Sequence, residues 1–462
     1  MPRTIKGLIW VYLVLLLVEG ALRKWVFPAQ ADALLIVRDP VVLLIYGLAL
    51  TAGLFPLNGF VLATGAFALA SVAASFLAGQ DNFLVLLYGL RINYLHLPLI
   101  WVMGAVLDRR DVQRMGSFIL LMAIPMALIM VEQFRSPMNA PINRGVGGSE
   151  GGQIFGADGR IRPPGLFAFI TGPQLFFPLA AAFFLHQASV QRRLPWLLLI
   201  GAGVAMAIAL PVSISRTVML ATGLVGVVFV GSLAFSSQRG GAVLRTVVIG
   251  VTLLLALSYL PVFREGREVF MMRWQTAAVS TDGDAWSNVY QRTFGGLFEP
   301  LRALAYAPMF GSGIGVGSNV GARLLSGQVG FLLAESEWSK VILELGPLLG
   351  GAFIAFRTFI TVWLGVRALR ALVGERESLP ILIFAACGAA VFVYQWAPPT
   401  LLGFAVFGSG LLLGAINPDA GATREPTRPV AVSRVSHTSQ SGPLPATRHR
   451  PASYPRRGQL RT

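Results

Sequence analysis

Residues 1–20 read MPRTIKGLIWVYLVLLLVEG, a basic start followed by an apolar run. The stretch imitates a secretory signal, but no small-x-small cleavage site closes it, and EGALRKW follows instead. We read it as a retained first membrane helix. That reading decides the fold, because it sets the side of the membrane on which every later segment falls.

Similar apolar runs recur along the chain, and ~20 apolar residues suffice to cross the ~30 Å hydrocarbon layer. The chain is 55% hydrophobic and 13% charged, where a soluble domain carries about 25% charged residues. Run length gives about twelve spans, at residues 7–27, 33–54, 59–78, 83–106, 116–134, 165–187, 194–210, 216–235, 244–262, 338–363, 379–396 and 398–416. The expected fold is therefore all-α, a polytopic transmembrane helical bundle over residues 1–416. Residues 263–336 form a long extracytoplasmic loop between spans 9 and 10. Residues 417–462 are rich in Pro, Ser, Thr and Arg and read as a disordered basic tail.

The formal charge is +16. Its clusters alternate from one connection to the next: Arg3 and Lys6, then Arg109, Arg110 and Arg114, then Arg192 and Arg193, then Arg239 and Arg245, then Arg367, Arg370 and Arg376, then the tail. All fall on one side of a twelve-span chain, which the positive-inside rule makes cytoplasmic. The basic excess is thus a topology signal and a contact with anionic membrane lipids, with no nucleic-acid partner implied. Cys387 is the single cysteine, so no intrachain disulfide forms, and four histidines exclude a histidine-rich metal centre.

Ionisable residues inside spans are costly and mark function by default. Arg91, in YGLRINYLHLPLI, serves as an anion ligand or internal ion-pair partner, or else snorkels to the interface. His96 beside it reads as a satisfied core histidine. Asp39, before Pro40, is placed to cap its helix. Arg160 and Arg162 precede the sixth span on the outer side, where arginines run against the topology bias. Arg216 sits among Ser213, Ser215 and Thr217 and reads as an anion site or an interface anchor. Arginine suits diphosphate because its planar fork donates two hydrogen bonds at any working pH.

The long outer segment carries three further features. Asp282-Gly283-Asp284 is a metal-binding pair or, with more weight, a turn before a capped helix. The glycine run at 311–317 lacks the ending of a P-loop; it cradles an anion or turns the chain back to the membrane. In AESEWSKVILELGPLLGG, Glu335 and Glu337 stand where a carboxylate serves as general base or caps the helix, and Glu337 pairs with Lys340 at i, i+3. Outward arginines, a carboxylate and apolar grooves together fit glycosyl transfer from a polyprenyl-diphosphate-linked glycan.

The layout resembles the O-antigen ligase and polysaccharide polymerase family of bacterial envelope proteins. The resemblance rests on the hydrophobic layout to about residue 416 and on RPPGLFAF at 162–169, SRT at 215–217, APMFGSGIGVGSN at 307–319 and ESEWSKVILELG at 335–346. It implies a metal-independent, inverting transfer from an undecaprenyl-diphosphate-linked donor to a glycan or lipid acceptor. The reaction needs no cofactor and takes place on the outer face of the bacterial cytoplasmic (inner) membrane. It assigns diphosphate binding to Arg216 and Arg292; the residues read by themselves add Arg162 and Arg91 as further walls and make Glu335 or Glu337 the base. The family's His-Asn pair is replaced here by Glu335 and Ser336. The rival readings are a transporter or flippase for a lipid-linked or anionic substrate, and a non-catalytic partner in a polysaccharide complex.

Overall fold

The computed structural model describes residues 1–149, 153–156, 159–189, 195–235, 259, 261–279, 296–328 and 330–417. Nearly all of the expected ninth span, the Asp282–Asp284 pair, Arg292 and the tail lie outside them. The described residues fall within one compact unit, Met1–Gly421; the second unit, Ala422–Thr462, is not described.

The unit is helical, and the one β-pairing among its described residues is the isolated bridge between Phe155 and Ile161. Among the described residues eight helices are long and apolar enough to cross a membrane, and two shorter apolar helices, Trp196–Val212 and Leu379–Phe392, stand among them. In order the main helices are α1 (Pro2–Ala21), α2 (Asp39–Thr51), α3 (Gly59–Leu77), α4 (Phe83–Val106), α5 (Arg109–Arg135), α6 (Pro173–Ser189) and α7 (Trp196–Val212). There follow α8 (Arg216–Ser232), α9 (Pro261–Val279), α10 (Gly296–Leu304), α11 (Asn319–Ser326), α12 (Glu337–Glu375), α13 (Leu379–Phe392) and α14 (Pro399–Ile416).

Local chemistry sets several boundaries. Asn58 and Asn82 cap α3 and α4 by accepting the amides of Val61 and Val85 at 3.0 and 3.2 Å, a cap that contributes about 1 kcal/mol. Asp108 and Asp111 form a reciprocal capping box on α5. Burial opposes the shift, but the Asp111 amide and Lys6 hold the Asp108 carboxyl below its ordinary range. Asp39 does not cap α2, as its position suggested; its carboxylate is drawn to Arg91 and His96 instead.

Helix α14 is the axis of the bundle, buried from Leu401 to Ala415. It packs on α13, on the second half of α4 and on α5. Small residues allow this where the hydrophobic effect gives no drive. A side chain at Gly408 would strike Cys387 of α13.

The helices meet at two poles. At the first, Lys6 bridges Asp108 at 3.2 Å and also pairs with Asp111. There Arg109 reaches Glu375 and Glu377 at 3.2 and 3.3 Å, and its amide donates to the Asn417 carbonyl. The start of α1 and the end of α14 therefore share a pole. At the second pole, Arg38 donates to the Pro399 carbonyl at 2.5 Å and Arg160 to the Phe134 carbonyl at 2.8 Å, tying the starts of α2 and α14 and the end of α5 to the loops.

Two expectations change. Residues 263–336 are not one open loop, because α9, α10 and α11 lie within them. The tenth expected span, 338–363, is not one straight helix. Gly346 has φ 82° and breaks α12 into two limbs. A side chain at Gly350 would meet Ile342, and Glu337 lies against Arg357, so the limbs fold back on each other. Only glycine takes that φ without strain, and Pro347 follows it.

Candidate functional site at the second pole

Three groups of charges collect around the second pole. The first lies inside the α12 hairpin. Glu337 receives Arg357 Nη1 at 2.7 Å and has Lys340 Nζ at 2.6 Å, all three side chains at most 2% exposed. Arg357 also donates to the carbonyls of Val391 and Tyr394 at 3.1 and 2.9 Å and stacks 3.8 Å above Trp396. Glu344 is buried as well and accepts the Gly317 amide at 2.8 Å. Two carboxylates face two cations, so the group compensates itself. Glu337, expected as a candidate base, is enclosed here by its own partners.

Glu335 stands two residues outside this group with an exposed side chain. Its carbonyl accepts a hydrogen bond from Gln395. The neighbouring Trp338 Nε1 donates to Phe392 at 3.0 Å. Both contacts hold the start of α12 against the end of α13.

The glycine run at 311–317 turns out to be a structural lock. The amides of Ser312 and Gly313 donate to the carbonyls of Leu343 and Glu344 at 2.8 and 3.0 Å. The Ile314 amide donates to Ser75 Oγ, and Gln80 Nε2 donates to the Ile314 carbonyl, both at 3.0 Å. These amides close the first limb of α12 and bind it to α3, which leaves them no role in holding an anion.

The second group is a buried chain of polar side chains. Arg23 and Arg38 flank Glu19 at 3.3 and 3.2 Å. Arg38 donates to Tyr12 Oη at 3.2 Å, Tyr12 meets His96 Nδ1 at 3.2 Å, and His96 Nε2 lies 2.9 Å from Asp39. Asp39 pairs with Arg91, which also donates to the Leu35 carbonyl at 2.9 Å. Arg91 is thus an internal ion-pair partner, buried rather than reaching for the interface, and its Nη1 has no partner. Beside this chain Lys24 is 1% exposed, donates to the Gly165 carbonyl at 2.7 Å and lies over Trp25. Among the described residues, four cations (Arg23, Lys24, Arg38, Arg91) stand against two carboxylates (Glu19, Asp39). The excess of buried positive charge is costly unless an anion answers it.

The third group is carried by residues 153–168. Arg162 Nε is buried without a hydrogen-bond partner among the described residues, whereas Arg160 is occupied by Phe134 and Glu265. A side chain at Gly156 would meet Ile214, so Gly156, beside the Phe155–Ile161 bridge, rests on the turn before α8. Ile214 has φ 47°, a region that a β-branched residue rarely occupies. Such strain persists only where the surroundings enforce it. Arg216 follows, half-buried at the first position of α8. The hydroxyls of Ser213 and Ser215 are turned to backbone, Ser213 donating to Leu210 and Ser215 capping Val218.

The segment around 153–168 therefore joins two groups: Gly165 holds Lys24, Arg162 lies three positions earlier, and Gly156 packs on the turn that leads to Arg216. Helix α8, which Arg216 opens, and α12, which follows Glu335, both pack on α13. Sequence reading missed Glu19, Arg23, Lys24 and Arg357 as members of these groups. Lys24 and Arg357 carried a signal, being cations within or beside apolar runs.

Fold and site define an all-α membrane bundle with a charge-rich pole. No family model matches this chain, and no curated protein does.

Proposed function

We propose that the chain is a multi-pass glycosyltransferase of the bacterial cytoplasmic (inner) membrane, with about twelve spans and its second pole facing outward. It takes a glycan from an undecaprenyl-diphosphate-linked donor and either joins it to an acceptor or extends it, as an O-antigen ligase or polysaccharide polymerase does. A hydroxyl of the glycan or lipid acceptor attacks the anomeric carbon, and Glu335 takes its proton. The bond from that carbon to the diphosphate oxygen breaks, and polyprenyl diphosphate leaves. Arg216 and Arg162, with Arg292 from the outer segment, neutralise the departing charge. Arg91 belongs to the basic group around Glu19 and Asp39. Glu337 is second choice as base, since Arg357 and Lys340 already hold it.

One observation carries this reading best: among the described residues, buried arginine and lysine donors outnumber carboxylates where residues 159–168 meet the bundle, and Arg162 Nε has no acceptor there. A diphosphate supplies the missing charge and matches the arginine fork.

The test supplies purified protein with a lipid-linked oligosaccharide and follows both glycan transfer and release of polyprenyl diphosphate. Wild type turns over; Arg216→Ala and Glu335→Gln do not. If wild type and both variants are equally inert with every acceptor tried, the enzyme reading loses its support.

A second reading, a transporter or flippase for a lipid-linked anion, is favoured by the broken helix at Gly346 and the charges folded inside it. In liposomes it moves the donor across the bilayer without cleaving it, so the same assay separates the two.

A further inference from the structure

At the opposite pole, a cavity of about 280 Å³ opens between the starts of α3, the second half of α4, the lower part of α12 and the end of α14. Its lining residues with polar side-chain atoms are Asn58, Trp101, Trp363, Arg367 and Asn417. No carboxylate lines it. Asn58 spends its carbonyl oxygen on capping Val61, which leaves its amide hydrogens as donors. Asn417 Nδ2 makes only a long 3.5 Å contact to the Gly104 carbonyl. Arg367 lies 5.5 Å over the Trp363 ring with its guanidinium exposed. Trp101 is 4% exposed, and its Nε1–H is buried with no acceptor among the described residues. A buried indole N–H ordinarily finds a partner, and leaving one unmet is costly.

Arg367 brings a cation, the Asn58 amide and the Trp101 indole bring N–H donors, and no carboxylate opposes them, so an acceptor-rich anion fits this lining. The volume lies near the ~300 Å³ at which small-molecule pockets begin, enough for a headgroup. Beside the cavity Leu57, just before α3, Leu62 of α3, and Val362 and Val366 of α12 are exposed. An anion-donor pocket bordered by exposed aliphatic side chains fits a molecule with a phosphate at one end and acyl chains at the other. We propose that this cavity binds the phosphate of an anionic phospholipid, with Arg367 and the Trp101 Nε1–H as its donors and the apolar faces of α3 and α12 against its chains. Basic pockets between membrane helices bind such headgroups by the same physics. The proposal is independent of the chemistry at the second pole.

The test uses the purified full-length chain in detergent, titrated with phosphatidylglycerol, phosphatidylcholine or inorganic phosphate. Retained lipid is counted by native mass spectrometry, and the melting temperature is read alongside. Phosphatidylglycerol is expected to bind about tenfold more tightly than phosphatidylcholine, and Arg367→Ala to lose about tenfold, the scale of one charge-assisted hydrogen bond. Trp101→Phe keeps the ring that stacks on Phe60 and removes the unmet donor. Without lipid it should melt no lower than wild type, yet gain less from phosphatidylglycerol. Equal retention of both lipids, or full phosphatidylglycerol binding by Trp101→Phe, overturns the site even if Arg367→Ala cannot be purified. A full response to inorganic phosphate with none added by phosphatidylglycerol overturns the lipid assignment.

Discussion

Glu337 and Arg357 are twenty positions apart in one helical element, yet Arg357 Nη1 donates to Glu337 Oε1 at 2.7 Å. A straight helix would separate them by ~30 Å. The bend at Gly346 makes the bond possible, and the bond in turn holds the bend closed. Removing one partner strands a charge that no water reaches. Arg357→Ala or Glu337→Ala should therefore cost about 3–5 kcal/mol, read as a fall in melting temperature and in the yield of monodisperse protein. Replacing both with leucine should cost much less than the sum. A double-mutant cycle that shows simple additivity would contradict the pairing.

The hairpin itself can be trapped. Cysteines placed at Ile342 and Gly350, in a Cys387→Ala background, should form a disulfide in membranes without reducing agent. Eight residues of straight helix would keep these positions ~12 Å apart, beyond the ~7 Å limit for a bridge. Gly346→Ala should abolish the cross-link, since its Cβ would run into the Met309 carbonyl and its φ of 82° suits only glycine.

How far these features were legible depends on whether they are local. Span ends at Phe83 and Arg216 could be read directly, because apolar run length answers to hydrocarbon thickness and a polar cap marks the boundary. The bend in α12 could not be read from run length, because hydrophobic residues continue on both sides of Gly346. Its only local trace is the Gly-Pro step within ELGPLLGG. The buried charges are less legible still. Arg91 finds Asp39 across 52 positions and Lys24 finds Gly165 across 141. A one-dimensional reading sees a cation near a span end and cannot tell an ion pair from a snorkelling side chain. The glycine run misled for a related reason: glycines that allow a close approach look the same whether the visitor is a ligand or, as here, α3, α4 and α12.

Acid should loosen the first pole at a named contact. The Asp108 carboxyl, held below its ordinary range by the Asp111 amide and Lys6, caps α5. A depressed carboxylate contributes stability above its unfolded pKa of about 3.9, and that contribution is lost as pH falls through the lower folded value. Asp108→Asn keeps a capping oxygen and loses the charge. Its melting temperature should depend less on pH below about 4 than that of wild type. A parallel pair of pH profiles would remove Asp108 from the acid response.

Lys24 separates the cost of excess charge from its use. It is buried, donates to the Gly165 carbonyl, and has no carboxylate partner among the described residues. Lys24→Met keeps the length and apolar stem of the side chain while removing the charge. If the basic excess exists to receive an anion, the variant should be at least as stable as wild type without ligand, because desolvation of an unpaired ammonium is relieved. It should then be worse at binding: a polyprenyl diphosphate, or inorganic diphosphate as a soluble probe, should raise the melting temperature of wild type and do so less for Lys24→Met. Arg162→Met should lose the same response, since Arg162 Nε is a buried donor without a partner. Arg160→Met should keep more of it, its guanidinium being engaged already by Phe134 and Glu265. If all three variants respond to diphosphate as wild type does, the charge at this pole serves assembly alone and the proposed donor site lies elsewhere.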